Sequence, residues 1–181
     1  MKQNLFPAIR LTLIMLILCS GVYSLIVLGI AKLTPDKGYG EMIADKNGKT
    51  YYANIGQKFD RDDYFNSRPS AGGYNASGSG GSNKGPNNEE YLKEIQQRIN
   101  DFKSKNPGAE IPVDMVTASG SGLDPDISVA AANAQVKRIA QKRGLSETAL
   151  FTLIIQTKDK GFLGTEKVNV LKLNIALDKL K

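Results

Sequence analysis

Apolar positions follow two regimes along this chain. Over residues 11–31, LTLIMLILCSGVYSLIVLGIA, they are nearly continuous, with 21 residues and no charge. After Lys32 they recur at helical or alternating spacing among polar residues. A helix rises 1.5 Å per residue, so the first run covers about 31 Å, the thickness of a bilayer's hydrocarbon core. The pattern predicts a short cytoplasmic N-terminal tail over 1–10, a transmembrane helix over 11–33 and a soluble domain over 34–181.

Within that domain, residues 42–44 and 50–55 flank Asn47-Gly48, which predicts an antiparallel hairpin. Gly48-Lys49-Thr50 is no phosphate-binding loop, because Ile43 stands where such a loop needs a glycine. In the Gly/Ser/Asn-rich loop 67–88 those three residues fill 15 of 22 positions, the composition of a flexible linker. Arg68, Pro69, Tyr74 and Pro86 interrupt it, which leaves an ordered loop open as the alternative.

Asn87 and Glu90 have capping-box spacing, and Tyr91, Leu92, Ile95, Ile99 and Phe102 form one apolar stripe suited to core packing. A helix is expected from Asn87 to the stop at Asn106-Pro107-Gly108. Residues 111–117 read as a strand or extended segment. Residues 118–128 read as a turn before the next helix or as a polar-ligand site; the late glutamate of a calcium loop is missing. Ser128 is expected to cap a helix over 129–143 that ends at Gly144. Its narrow buried face would hold Val136, Ile139 and Ala140. Lys137, Arg138, Lys142 and Arg143 are expected in solvent, where they favour the helix C-terminus. A helix over 146–157, a strand over 168–171 and a helix over 173–180 complete an α+β fold.

Charge adds orientation and exclusions. Lys2 and Arg10 precede the span, and Lys32 and Lys37 follow it with Asp36 and Glu41. The short acid-free tail favours an N-terminus inside and the soluble domain outside. A cleaved signal peptide, with Gly29-Ile30-Ala31 as its site, and a lipid anchor on Cys19 remain alternatives; Leu18 is a poor residue to precede such a cysteine. Cleavage would leave a secreted binding domain. Gly21, Ser24 and Gly29 offer a small-residue face for helix packing. The formal charge of +6 carries no basic stripe with interleaved aromatics, so nucleic acid is not an expected partner. Histidine is absent, which excludes Ser–His–Asp and Cys–His nucleophiles and histidine-ligated zinc. A serine–lysine hydrolase through Ser119 or Ser121 has no supporting spacing.

Several unusual stretches in order carry a resemblance. They are Gly56-Gln57-Lys58-Phe59, Tyr64-Phe65-Asn66-Ser67-Arg68-Pro69-Ser70-Ala71 and Ser79-Gly80-Gly81-Ser82-Asn83 with Gly85-Pro86. Further on come Val113-Asp114, Ala118-Ser119-Gly120-Ser121-Gly122-Leu123-Asp124-Pro125, Gln135-Val136 with Arg138, and Val168-Asn169-Val170-Leu171. Over its whole length the chain resembles the KdpC family, which belongs to the Kdp high-affinity potassium-transporting P-type ATPase.

The resemblance implies a single-span accessory subunit of the bacterial inner membrane that is no enzyme by itself. Its implied partners are a channel-like potassium-binding subunit, a P-type ATPase subunit and a small hydrophobic subunit. The complex would use ATP, Mg2+ and K+, with no cofactor or metal held by this chain. The resemblance also turns residues 67–86 from a linker into an ordered partner loop. The implied partner and loop motif residues are Arg68, Pro69, Ser70, Ser79, Gly80, Gly81, Ser82 and Asn83 within it, and Ser119, Ser121, Leu123, Asp124 and Pro125 beyond it. A catalytic-chaperone role that raises ATP affinity would bring in Gln135 and Arg138. Asp124 and Asp126 are candidates to attract potassium. The chain departs from the family pattern at Lys84, Asp126 and Lys137, where leucine, histidine and proline are common.

Overall fold

The computed structural model describes residues 4–159, 161 and 164–180. Lys2 of the orientation argument lies outside them. The chain divides after Glu41 into two compact units.

The first unit is a 28-residue helix, Leu5–Lys32, with a mean hydropathy of 2.6 over its most apolar window and no buried residue there. It comprises α1 (Leu5–Leu16), a π-helical stretch (Ile17–Val22) and α2 (Tyr23–Lys32). Helix starts six residues before the uncharged run, so Arg10 lies within it. Beyond Lys32 the chain curls through turns, with the Thr34 hydroxyl donating to the Ala31 carbonyl at 2.7 Å.

The second unit opens with the expected hairpin, β1 (Met42–Ala44) and β2 (Thr50–Tyr52), in the register Met42↔Tyr52 and Ala44↔Thr50. Asp45 organises its turn by accepting the Asn47 and Lys49 amides at 2.8 and 3.0 Å, and Gly48 takes φ +79. β2 stops at Tyr52, three residues early, because residues 53–55 turn.

Helix α3 (Glu89–Lys105) is capped by Asn88, not Asn87. A turn from the Gly85 carbonyl to the Asn88 amide sets that residue, whose side chain accepts the Tyr91 amide at 3.0 Å. Of the apolar stripe only Phe102 is fully buried, and Leu92 faces solvent. Residues 113–115 form a 3-10 turn instead of a strand. Pro112 enters it in extended conformation, and the Thr117 hydroxyl closes it on the Val113 carbonyl at 2.8 Å.

A three-stranded antiparallel sheet then forms in the order β3-β5-β4, from β3 (Asp126–Ser128), β4 (Lys158–Asp159) and β5 (Lys167–Asn169). Ser128 ends β3 and caps α4 (Val129–Arg143), and Gly144 closes that helix at φ +66. Ser146 caps α5 (Glu147–Thr157). The last helix, α6 (Val170–Leu177), starts three residues early because Asn169 caps it by accepting the Lys172 amide at 3.0 Å. The core lies between sheet and helices: Ile127 and Val168, Val136 and Ile139, Leu150 and Ile154, Leu173 and Leu177, with Phe65 inserted from a loop.

The buried face of α4 is wider than Val136, Ile139 and Ala140. It also takes in Ala131, Ala132, Gln135 and Arg138. Arg138 and Arg143 are not solvated as expected. Arg138 is buried, and Arg143 bridges carboxylates, because both reach acceptors on loop 61–66 or α6. Lys137 and Lys142 do face solvent.

Candidate functional site

The motif residues from the two glycine-rich segments come together as one unit. Segment 68–80 lies along segment 119–124, joined by one backbone amide and three side-chain donors. The Gly80 amide and the Ser79 hydroxyl both donate to the Ser121 carbonyl, at 2.9 and 3.0 Å. The Ser70 hydroxyl donates to the Gly122 carbonyl at 2.6 Å while accepting the Tyr74 amide at 2.9 Å. Arg68 donates to Asp124 at 2.8 Å, and the Tyr74 hydroxyl donates to the Arg68 carbonyl.

Gly122 makes this approach possible, and Gly56 lets a third segment reach the same unit. Gly122 has φ +66, and a Cβ there would lie 2.9 Å from the Gly80 oxygen and 3.2 Å from Ser70 Oγ. Gly56 supports the unit from below: its amide donates to the Leu123 carbonyl at 2.7 Å, and a Cβ would fall 2.6 Å from the Asp124 oxygen. Tyr74 and Asn83 hold positive φ without being glycine, at 63° and 55°. The Pro125 carbonyl accepts the Val170 amide at 2.9 Å, which fixes the unit to the start of α6.

Electrostatics follow from these contacts. Burial pushes the Tyr74 hydroxyl up to about 12, against the opposing effects of its contact with Ser67 and of the Arg68 charge. Asp124 is matched by Arg68, and Asp126 by Lys167 at 2.6 Å. Both carboxylates proposed to draw potassium thus already hold a cation. Lys84 answers Glu90 and Glu94 at 3.0 and 2.7 Å, which ties the end of the loop to the first turns of α3. A shallow hollow of about 530 Å3 lies over the unit, lined by Asn54, Arg68, Ser79, Ser121 and Asp124 among others.

Pro69 and Ser82 are half-buried and Asn83 is exposed along the same loop. Ser119 and Leu123 are buried within the unit, and the Ser119 carbonyl accepts the Gly122 amide at 3.2 Å. The Ser121 hydroxyl accepts the Leu123 amide at 3.1 Å. Among the described residues no group of three or more His, Cys, Asp or Glu is placed to hold a metal.

Gln135 and Arg138 belong to a different construction. Gln135 is 0% exposed; its Oε1 accepts the Asn66 amide and an Arg138 N–H, both at 2.7 Å. Arg138 also donates to Asn106 Oδ1 at 3.0 Å, to the Tyr64 carbonyl at 3.1 Å and to the Asp62 carbonyl. Burial lowers its pKa, with Asp62 and Asp63 opposing. Asn174 exchanges two bonds of 2.9 Å with the Phe65 backbone. Arg143 donates to the Asp63 carbonyl at 2.7 Å and to Asp178 at 2.9 Å, and stacks 4.5 Å from the Tyr64 ring centroid. These side chains clamp residues 62–66 onto α4 and α6. Sequence reasoning gave Asn66, Asn106, Arg143 and Asn174 no place in such a clamp. For Asn106, Arg143 and Asn174 the signal, a polar residue one helical turn from buried apolar ones, is weak before the fold is known; Asn66 lies in a loop and carries none.

Known proteins share this sequence along nearly its whole length. The family described as "K+-transporting ATPase, c chain" matches residues 5–179. The chain is similar to the potassium-transporting ATPase KdpC subunit of Flavobacterium johnsoniae, 52% identical over 99% of this chain and 100% of that protein. The protein of the same name from Bacteroides thetaiotaomicron is 46% identical over 99% and 100%. That of Geobacter sulfurreducens is 46% identical over 98% of both.

Proposed function

The chain belongs to the KdpC family of K+-transporting ATPases, and from that premise we propose that it is a non-catalytic accessory subunit of an ATP-driven potassium importer. Helix Leu5–Lys32 anchors it in a bacterial inner membrane. Residues 34–181 stand outside, with the N-terminus in the cytoplasm. The paired loops dock on a channel-like subunit and steady the assembly with the P-type ATPase subunit and a small hydrophobic subunit.

One observation carries the docking reading. The motif residues of the two glycine-rich segments converge on one ordered, largely surface-lying unit in which backbones approach closely and Leu123 is the one fully buried apolar residue. Such a unit contributes little to the core, so its elaborate order has a use in presenting a fixed surface.

ATP, Mg2+ and K+ are used by the complex. The residues present do not fit a nucleotide on this chain: Gln135 is closed off, and the Arg138 guanidinium is taken up by acceptors of its own fold. A chaperone effect on ATP affinity therefore travels as a coupling free energy through the assembled membrane subunits. It needs no contact between this chain and ATP.

The test is affinity purification of the tagged chain from mild-detergent membranes, followed by an ATPase assay with and without potassium. The expected result is co-purification of a P-type ATPase and a channel-like protein with potassium-stimulated hydrolysis. A lone chain, where those partners are expressed, overturns the proposal.

A further inference from the structure

The hairpin β1–β2 has two unlike faces. Ile43 and Tyr51 are half-buried, while Met42, Ala44, Thr50 and Tyr52 face outward. The outward set carries no charge. Met42 and Tyr52, directly opposite in register, are 50% and 47% exposed. Cross-strand pairs of this kind form one contact surface, here a thioether beside a phenol.

Chain length says what lies within reach of that surface. Met42 is ten residues beyond Lys32, the end of the apolar helix. Even fully extended, ten residues span at most about 36 Å. Four backbone bonds within residues 30–39 curl part of this stretch, from the Leu33 amide to Ile30 through the Tyr39 amide to Asp36, and shorten the tether. The linker presents the same chemistry: Leu33 and Tyr39 are exposed, and Lys32 Nζ lies 5.4 Å from the Tyr39 ring centroid. Tyrosine with lysine at the end of a span is the composition of a membrane–water interface, where an amphipathic ring is stable at headgroup depth.

We infer that the outward face of the hairpin, led by Met42 and Tyr52, rests on the headgroup–acyl boundary of the bilayer as a membrane-surface contact. The lipid surface lies within that reach wherever helix Leu5–Lys32 is the anchor, whichever subunits join it. An uncharged face loses no ion hydration on entering that region, and a phenol keeps its hydroxyl in the headgroup layer. The inference rests on helix Leu5–Lys32 being the anchor. It does not rest on the docking of the paired loops.

The chain contains no tryptophan, so a single one reports without background. Tyr52→Trp, Met42→Trp and, as a control, Val113→Trp are each placed in the full chain. Val113 is exposed in the same folded unit. The variants are reconstituted into phosphatidylcholine vesicles with plain or brominated acyl chains. The expected result is blue-shifted emission and loss of intensity in brominated vesicles for Tyr52→Trp and Met42→Trp, with Val113→Trp unaffected. Solvent-like, unquenched emission at both hairpin positions overturns the inference. A blue shift without quenching also overturns it, and means that protein covers the face. Equal quenching of all three reports general adhesion of the domain and overturns a specific contact.

Discussion

Two neighbouring stretches of this chain are held in opposite ways. Residues 62–66 are gripped by side chains of α4 and α6: Gln135, Arg138 and Arg143 from the first, Asn174 from the second. Residues 68–80 instead reach out themselves: two serine hydroxyls and the Gly80 amide donate to backbone carbonyls of 119–124 where glycine leaves room, and Arg68 pairs with Asp124. The clamp is buried and satisfies polar groups that would otherwise be stranded. The loop pair is largely at the surface, and its shape depends on absent Cβ atoms. The clamp therefore carries stability, and the loop pair carries a shape that a partner can read.

Substitutions separate the two. Arg138→Ala strands the carbonyls of Asp62 and Tyr64 and the Asn106 oxygen, and leaves the Gln135 oxygen with the Asn66 amide alone. It is expected to cost about 3 kcal/mol of stability, read by urea unfolding of the full chain in detergent. Gly122→Ala places a Cβ against the Gly80 oxygen at positive φ. A loss of about 1–2 kcal/mol is expected, with a larger fall in partner capture than that loss explains. Equal losses of stability and capture would erase the distinction. Asn88→Ala removes the cap of α3 and is expected to cost about 1 kcal/mol in the same unfolding measurement, with capture intact.

The difference between wild type and Tyr74→Phe in a pH experiment addresses the loop pair. An unfolded tyrosine releases its proton near pH 10, whereas Tyr74 in the fold holds it to about 12. The raised value favours the protonated native state, so this contribution is full below pH 10 and is lost as pH rises towards 12. Tyr74→Phe should flatten that decline, and an unchanged slope would show that the ring is not held as described. The smallest effect belongs to Lys84→Leu, which removes the pairs to Glu90 and Glu94. The wild type should weaken with added salt slightly more than the variant, when unfolding is followed at low and high ionic strength.

Local signals were legible in the sequence. The apolar run, the Asn47-Gly48 turn, the Ser128 cap and the Gly144 stop each act within a few residues, and each has the role expected of it. What depends on distant partners was not. β3 pairs with β5 across some forty residues, and nothing within Asp126-Ile127-Ser128 announces a strand. A basic residue near a helix C-terminus suits solvent equally well, so Arg138 became legible only once residues 62–66 were seen beside it. The motif residues of the paired loops were named from resemblance, while composition alone favoured a linker. Their pairing rests on Gly122, whose need is visible only when the opposing Gly80 carbonyl is in place.

The most direct measurement of the central claim is partner capture by a tagged chain lacking residues 79–85, compared with the wild type and with Arg138→Ala, each first shown to be folded by cooperative unfolding. The expected result is that the deletion keeps a cooperative transition yet fails to co-purify the channel-like and P-type ATPase subunits. Folded Arg138→Ala chains should still capture both. A folded deletion variant that captures its partners as well as the wild type does would contradict the account and return the loop to the status of a spacer.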